Sequence, residues 1–210
     1  MANPWLKIPA SDYEGHMDSP EVAQLSFLAQ AFRECLERYD SSSIALLGCA
    51  TGNGMDYVNN SVTRRLTAVD INPEYLEVLR QRYQERVPGL EVIKADLETY
   101  TGENNTYSLI FAGLIFEYLK PKVLLQRIAG WLRPAGVMVS ILQLPAKNSG
   151  KVSETPYKSL RALDPIMNLI SSDRFKGMAN EAGLRETEAK TVTLESGKPF
   201  YIGTYKRSED

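Results

Sequence analysis

Apolar positions along the chain switch repeatedly between helical spacing and short continuous runs, and the switching predicts the elements. Residues 1–18 read as irregular, broken by Pro4, Pro9 and Gly15. Ser19-Pro20-Glu21 reads as a helix start, with Ser19 as N-cap and Pro20 in the first turn. Val22, Leu25, Leu28, Ala29, Phe32 and Leu36 then follow at helical spacing. Beyond them the pattern alternates. Ile44 to Leu47 is a short apolar strand, residues 53–61 are expected to be helical, and Leu66 to Asp70 is a second strand. Pro73 to Val87 reads as a helix with Tyr75, Leu76, Leu79 and Tyr83 on one face. Strands follow at Leu90 to Lys94 and Tyr107 to Ala112, then a helix over Val123 to Leu132 and a strand over Gly136 to Leu142. A helix over Asp173 to Ala182 stops at Gly183, a residue suited to a C-terminal cap. Glu186 to Leu194 and Phe200 to Lys206, joined through Glu195 to Pro199, read as a hairpin.

Strands alternating with helices predict an α/β fold, a three-layer Rossmann-like sandwich whose mostly parallel sheet is covered on both faces. The terminal hairpin must add antiparallel pairing at one edge. The whole of residues 1–210 is expected to form one domain, with residues 1–40 as a helical cap. Residues 145–172 form a long connection of the kind that serves as a lid.

Composition narrows the class of partner. Hydrophobic residues make up 43% of the chain and charged residues 24%, enough for a full core under an ordinary polar surface. The net charge of −2, with basic and acidic residues interspersed, gives no electrostatic footprint for nucleic acid or an acidic membrane. Two cysteines, Cys35 and Cys49, are too few for a disulfide framework or a zinc site. Neither a signal-peptide pattern nor a run of about 18 apolar residues is present, so a cytoplasmic protein is expected.

The chemistry is concentrated at the predicted strand ends. In "SIALLGCATGNG", residues 43–54, an apolar strand gives way to Gly48, Ala50, Gly52 and Gly54. Small residues at that turn let a ligand approach the main chain. The second strand ends in Asp70, 22 residues after Gly48, where a carboxylate can hold a ribose diol. Asn72, directly before Pro73, is the better cap for the next helix, which leaves Asp70 free. The third strand ends in Asp96. Three neighbouring tips, one stripped of bulk and two acidic, suit a ligand of nucleoside size.

With these residues in order, the sequence resembles the class I S-adenosylmethionine-dependent methyltransferases of the small, single-domain kind. "ALLGCATGNG" resembles the family's glycine motif, "AVDINPEYLEVL" its ribose-binding strand and "IKADLETY" its adenine-site acid. "YSLIFAGLIFEYL" and "LRPAGVMVSIL" resemble the motifs that follow. The resemblance implies seven strands with the last one antiparallel, and S-adenosyl-L-methionine as cofactor. It implies that Gly48, Ala50 and Gly52 lie along the cofactor's amino-acid part and sugar. Asp70 would hold the ribose hydroxyls and Ile71 would pack on the adenine. Asp96 would accept from the adenine amino group with the Leu97 amide nearby, and Ala112 would meet the methionine portion. Three positions depart from the family pattern: Ala50 replaces the middle glycine, Leu46 an acid before the first glycine, and Ser108 an acid opening the fourth-strand motif.

Methyl transfer from a sulfonium needs alignment of nucleophile and methyl carbon more than it needs a catalytic base. The candidates for a base are His16, the sole histidine, with Tyr13 near it, and Glu117 after the fourth strand. Tyr118 stands where many relatives carry histidine. Cys49 reads as a small buried residue of the turn, and Ala112-Gly113 in place of Asp or Asn argues for no metal. The acceptor is expected to be a small molecule, chosen by residues 1–30 and by the lid. Lys147, Lys151, Tyr157, Lys158 and Arg161 of that lid hint at an acidic acceptor, with Ile166 and Met167 on an amphipathic helix. Two alternatives stand beside this reading: a non-catalytic protein on the same fold that binds the cofactor or a partner, and a nicotinamide-dependent enzyme.

Overall fold

The computed structural model describes residues 3–145 and 150–208. Its centre is a seven-stranded sheet made of β1 (Ser43–Leu47), β2 (Arg65–Asp70), β3 (Leu90–Lys94), β4 (Tyr107–Gly113), β5 (Leu132–Gln143), β6 (Leu184–Thr193) and β7 (Pro199–Arg207). The order across the sheet is β3-β2-β1-β4-β5-β7-β6. The five strands from β3 to β5 run parallel, and β7 pairs antiparallel with both β5 and β6. The expected seven-stranded sheet with its antiparallel terminal hairpin strand is therefore what the chain forms.

Strand β4 shows why the sheet sits inside. Every residue from Tyr107 to Ala112 is buried, as both faces of a parallel sheet require. Leu109 and Phe111 point into one core and Ile110 and Ala112 into the other. The first core is completed by α1 (Ala10–Asp18), α2 (Gln24–Arg38) and α3 (Pro73–Tyr83), and the second by α4 (Pro121–Trp131) and α5 (Ser172–Glu181). Each fully buried side chain such as Phe32, Leu125 or Phe175 contributes about 1.5–3 kcal/mol. Helix α3 starts as its sequence demands: the Asn72 side chain accepts from the Glu74 amide, and Pro73 opens the first turn. Ser108 bonds to both the amide and the carbonyl of Ser43, so it knits β4 to the start of β1.

The structure corrects three expectations. Residues 10–18 are helical, with Pro9 ahead of the first turn and Asp12 inside it. Gly15 is tolerated there because the Tyr157 ring lies against it, 2.2 Å from where a Cβ would stand. Ser19 caps no N-terminus: its amide and hydroxyl both bond to the His16 carbonyl and close α1, and α2 begins only after Ala23. Residues 53–61 are not a helix but a short 3-10 turn, Met55–Tyr57, between turns. Gly54 at φ +83 interrupts helical φ on one side, and the Asn59 side chain draws in the Ser61 amide and hydroxyl on the other.

Candidate functional site

The order of strands reverses between β1 and β4, and a cavity opens at their carboxyl ends, as open α/β sheets provide. Its free space, counting the open mouth, is about 1100 Å³, ample for a small-molecule ligand.

One end of the cavity is made by the strand tips. Beyond β1 the Gly48 and Cys49 amides both donate to the Val69 carbonyl, which folds the glycine loop over the end of β2. Gly48 has φ +67, and a Cβ there would lie 2.3 Å from Ile115 Cγ2, so no side chain fits. Asp70 accepts hydrogen bonds from the Ala50 amide at 2.9 Å and the Asn72 amide at 2.8 Å, one on each oxygen. A carboxylate offers about four lone-pair sites, so two remain for ligand hydroxyls. Burial raises the pKa of Asp70, and the amides oppose that rise. Asp96 accepts from the Glu98 amide at 2.9 Å and also faces the cavity, as do Ile71 and Leu97.

Six of the eight residues expected at the cofactor thus line one space: Gly48, Ala50, Asp70, Ile71, Asp96 and Leu97. The other two do not. Gly52 turns toward helix α3, where a Cβ would stand 2.7 Å from the Tyr83 ring, so its bareness serves packing. Ala112 is buried on the far face of β4, and its neighbour Gly113 reaches the cavity instead. Ala50 takes φ +44, a left-handed conformation costly for a residue with a Cβ. Leu46 is a core residue, buried beside Ile44.

The other end is walled by segments distant in the chain. Helix α1 contributes Tyr13 and His16, and α2 contributes Gln24 from its first turn. Residues 150–172 contribute Lys151, Leu163 and Met167, and the turn between β6 and β7 contributes Lys198. The expected lid packs on α1 through Ser159 to Asp12 at 2.6 Å and Thr155 to His16 Nδ1 at 2.8 Å. Its helical part is a 3-10 segment, Lys158–Leu163, that ends before Ile166 and Met167. Lys147 lies outside the described residues. Trp5 and Tyr118, with ring centroids 5.0 Å apart, and Tyr13 and Tyr75, 5.2 Å apart, make an aromatic wall.

The three candidate bases differ sharply. Burial, with the Lys198 charge beside it, pushes the pKa of His16 down to about 4, so its imidazole is neutral at pH 7. Burial, and after it the nearby Asp70 charge, hold the Tyr13 phenol well above the usual range. It is a hydrogen-bond donor, not a base. Glu117 does not reach the cavity. Its Oε1 accepts from the Gln143 amide at 2.7 Å, and complete burial pushes its pKa up to about 7. Cys49 is buried and its thiol is raised far above the ordinary value by desolvation, consistent with a small core residue. Among the described residues no group of three or more His, Cys, Asp or Glu could hold a metal ion, and no helix is long and apolar enough to cross a membrane.

Residues 44–136 match the profile of a family described as a methyltransferase domain. The fold is that of solved S-adenosylmethionine-dependent methyltransferases. A solved S-adenosylmethionine-dependent methyltransferase from Leishmania major matches this chain with a TM-score of 0.73 at 18% identity, covering 97% of this chain and 80% of that one. The N-methyltransferase NodS from Bradyrhizobium japonicum, solved with S-adenosyl-L-homocysteine, gives 0.68 at 17% identity and covers 91% and 90%. The [4+2]-cyclase SpnF gives 0.70 at 11% identity, covering 88% and 81%. No curated protein sequence matches the chain.

Sequence reasoning missed several residues at the wide end of this cavity: Trp5, Gln24, Gln143 and Lys198. The sequence places Lys198 only in the turn of the terminal hairpin. The one available signal was its company, a lysine between Gly197 and Pro199 beside strands rich in apolar residues.

Proposed function

We propose that this protein transfers the methyl group of S-adenosyl-L-methionine to a small-molecule acceptor. The observation that carries the reading is the convergence of the bare β1 tip and the two acidic tips, Asp70 and Asp96, on one cavity. S-adenosyl-L-methionine supplies a methyl carbon activated by a sulfonium. Asp70, with its two spare lone-pair sites, holds the ribose hydroxyls. Asp96 and the Leu97 backbone take the adenine edge, and Ile71 packs on its face. The bare Gly48 lets the main chain lie against the cofactor's amino-acid part, and Gly113 takes the place expected of Ala112.

The remaining residues position the acceptor and exclude water. The aromatic wall of Trp5, Tyr13 and Tyr118 closes the middle of the cavity. Alignment of this kind can remove about 7–11 kcal/mol from the barrier of a two-body reaction. His16 is neutral, and in the tautomer whose Nδ1–H donates to Thr155 Oγ1 its other nitrogen serves as a proton acceptor for the nucleophile. Glu117 acts beneath the site by fixing the Gln143 amide.

A second reading, a protein on this fold without methyl-transfer activity, is favoured by Ala50 at φ +44 and by SpnF, a cyclase of similar architecture. Incubation with methyl-labelled cofactor and a metabolite extract separates the two. Label in a small molecule, lost in Asp70→Asn, supports the methyltransferase. A protein that binds the cofactor and labels nothing supports the second reading. In an active enzyme His16→Gln should lower kcat by about 10²–10⁴ and leave cofactor affinity unchanged.

A further inference from the structure

Lys198 is 4% exposed, yet it forms no ion pair among the described residues. Its ammonium donates to the Lys151 carbonyl at 3.0 Å, which leaves two donors without a protein acceptor. A second cation stands at the same end of the cavity: Lys151 donates to the Met167 carbonyl at 2.7 Å and has no carboxylate partner either. A buried ammonium costs several kcal/mol unless an opposite charge meets it, and the Asp164 carboxylate that acts on Lys198 forms no ion pair with it, so Lys198, with the half-buried Lys151 on the same cavity wall, marks a place for an anion. The neighbours fit the same purpose. The Gln24 amide makes no hydrogen bond among the described residues, and Ser153 and the Gln143 side chain also face the space. Around this polar end Leu28, Leu160, Leu163 and Met167 form an apolar surround.

We propose that Lys198, with Lys151 and Gln24, forms an anion subsite, and that the acceptor is a small molecule with a carboxylate or phosphate at one end and an apolar body. This rests on the methyltransferase reading for the word acceptor, and on the cavity alone for the anion. Lys198 positions the acceptor by its charge; nothing in the transfer passes through it.

His16, the only histidine, gives the subsite its own reporter. The charged group that acts on it is Lys198, from the β6–β7 turn; Lys151, from the lid, lines the same cavity. Of the three carboxylates on its own helix, Asp12 is held by Ser159, Glu14 by Thr51 and Arg82, and Asp18 is exposed to solvent. Burial and the Lys198 charge hold its pKa near 4, and an anion beside Lys198 offsets that charge. Occupancy therefore raises the His16 pKa.

The test titrates the full chain, with and without S-adenosyl-L-homocysteine, with hexanoate, hexyl phosphate and the neutral hexanamide, following the His16 ring resonances. Hexanoate or hexyl phosphate should bind at least tenfold tighter than hexanamide and raise the His16 pKa by about one unit. The better of the two names the headgroup. In Lys198→Met both effects should vanish while S-adenosyl-L-homocysteine affinity stays within twofold. Equal binding of hexanamide and the two anions overturns the proposal, and so does unchanged anion binding in a folded Lys198→Met. The wild-type comparison needs no variant, so poor folding of Lys198→Met leaves it decisive. Anion binding without any affinity for S-adenosyl-L-homocysteine would keep the subsite and remove the methyltransferase reading.

Discussion

The two ends of the cavity are built by different means. The end proposed for the cofactor comes from one stretch, Gly48 to Asp96, in which three adjacent strand tips present amides, two carboxylates and bare backbone. The end proposed for the acceptor comes from α1, α2, the end of β5, residues 150–172 and Lys198, and it consists of side chains. A site made by backbone at strand ends is fixed by the sheet itself and stiff. A site assembled from side chains on five separated segments depends on how those segments pack, and it can change acceptor without changing the sheet. Substitutions should divide in the same way, with the glycine loop governing cofactor affinity and the Lys198 end governing acceptor affinity.

The harshest way to break this division is Gly48→Ala. The left-handed φ costs about 1–2 kcal/mol and the new methyl must displace Ile115, so stability in urea should fall by about 1–3 kcal/mol. Cofactor affinity should fall at least a hundredfold, while hexanoate binding at the other end stays within threefold. Loss of both together in a folded variant would show that the ends are one unit.

Glu117 tests the support beneath the acceptor end. Its carboxyl has a folded pKa of about 7 against an ordinary value of 4.5. The folded state therefore holds a proton that the unfolded chain releases, and stability declines as pH rises from 4.5 to about 7. Glu117→Gln should flatten that decline, by an amount on the order of 1–3 kcal/mol between pH 5 and 8 in urea midpoints. His16 works in the opposite direction over pH 4 to 6.5, and it cancels when the two profiles are subtracted. An unchanged difference between the profiles would mean that Glu117 is ionised in its buried place.

The smallest effect is expected from Ala50→Gly. Relief of the left-handed alanine and the greater freedom of glycine in the unfolded chain oppose each other, so stability should move by less than about 1 kcal/mol. Cofactor affinity measured beside it shows whether the methyl group obstructs the ligand.

The same contrast explains what could be read from the chain in advance. Asp70 and Asp96 were legible because strand ends are marked by the halt of an apolar run, and a carboxylate there has few structural uses. Gly52 misled for a related reason: positive φ and close packing on Tyr83 demand glycine as firmly as a ligand does. Ala112 was misplaced by one residue, since neighbouring strand positions face opposite sides and Gly113 has the cavity's parity. Helix α1 was hidden by Pro9, which stands just ahead of its first turn, and by Gly15, whose place in the helix is covered by the Tyr157 ring packed from the lid. That contact joins residues far apart in sequence, as does the approach of Lys198 to the cavity. Neither leaves a local pattern to find.

The account stands or falls on the three strand tips holding one sulfonium nucleoside. Its most direct measurement is calorimetric titration of wild type and Asp70→Asn with S-adenosyl-L-homocysteine and, separately, with NAD. Micromolar binding of S-adenosyl-L-homocysteine, weakened at least a hundredfold in a folded Asp70→Asn, with no heat from NAD, is the predicted result. NAD binding without response to S-adenosyl-L-homocysteine, or full affinity in the variant, would contradict it.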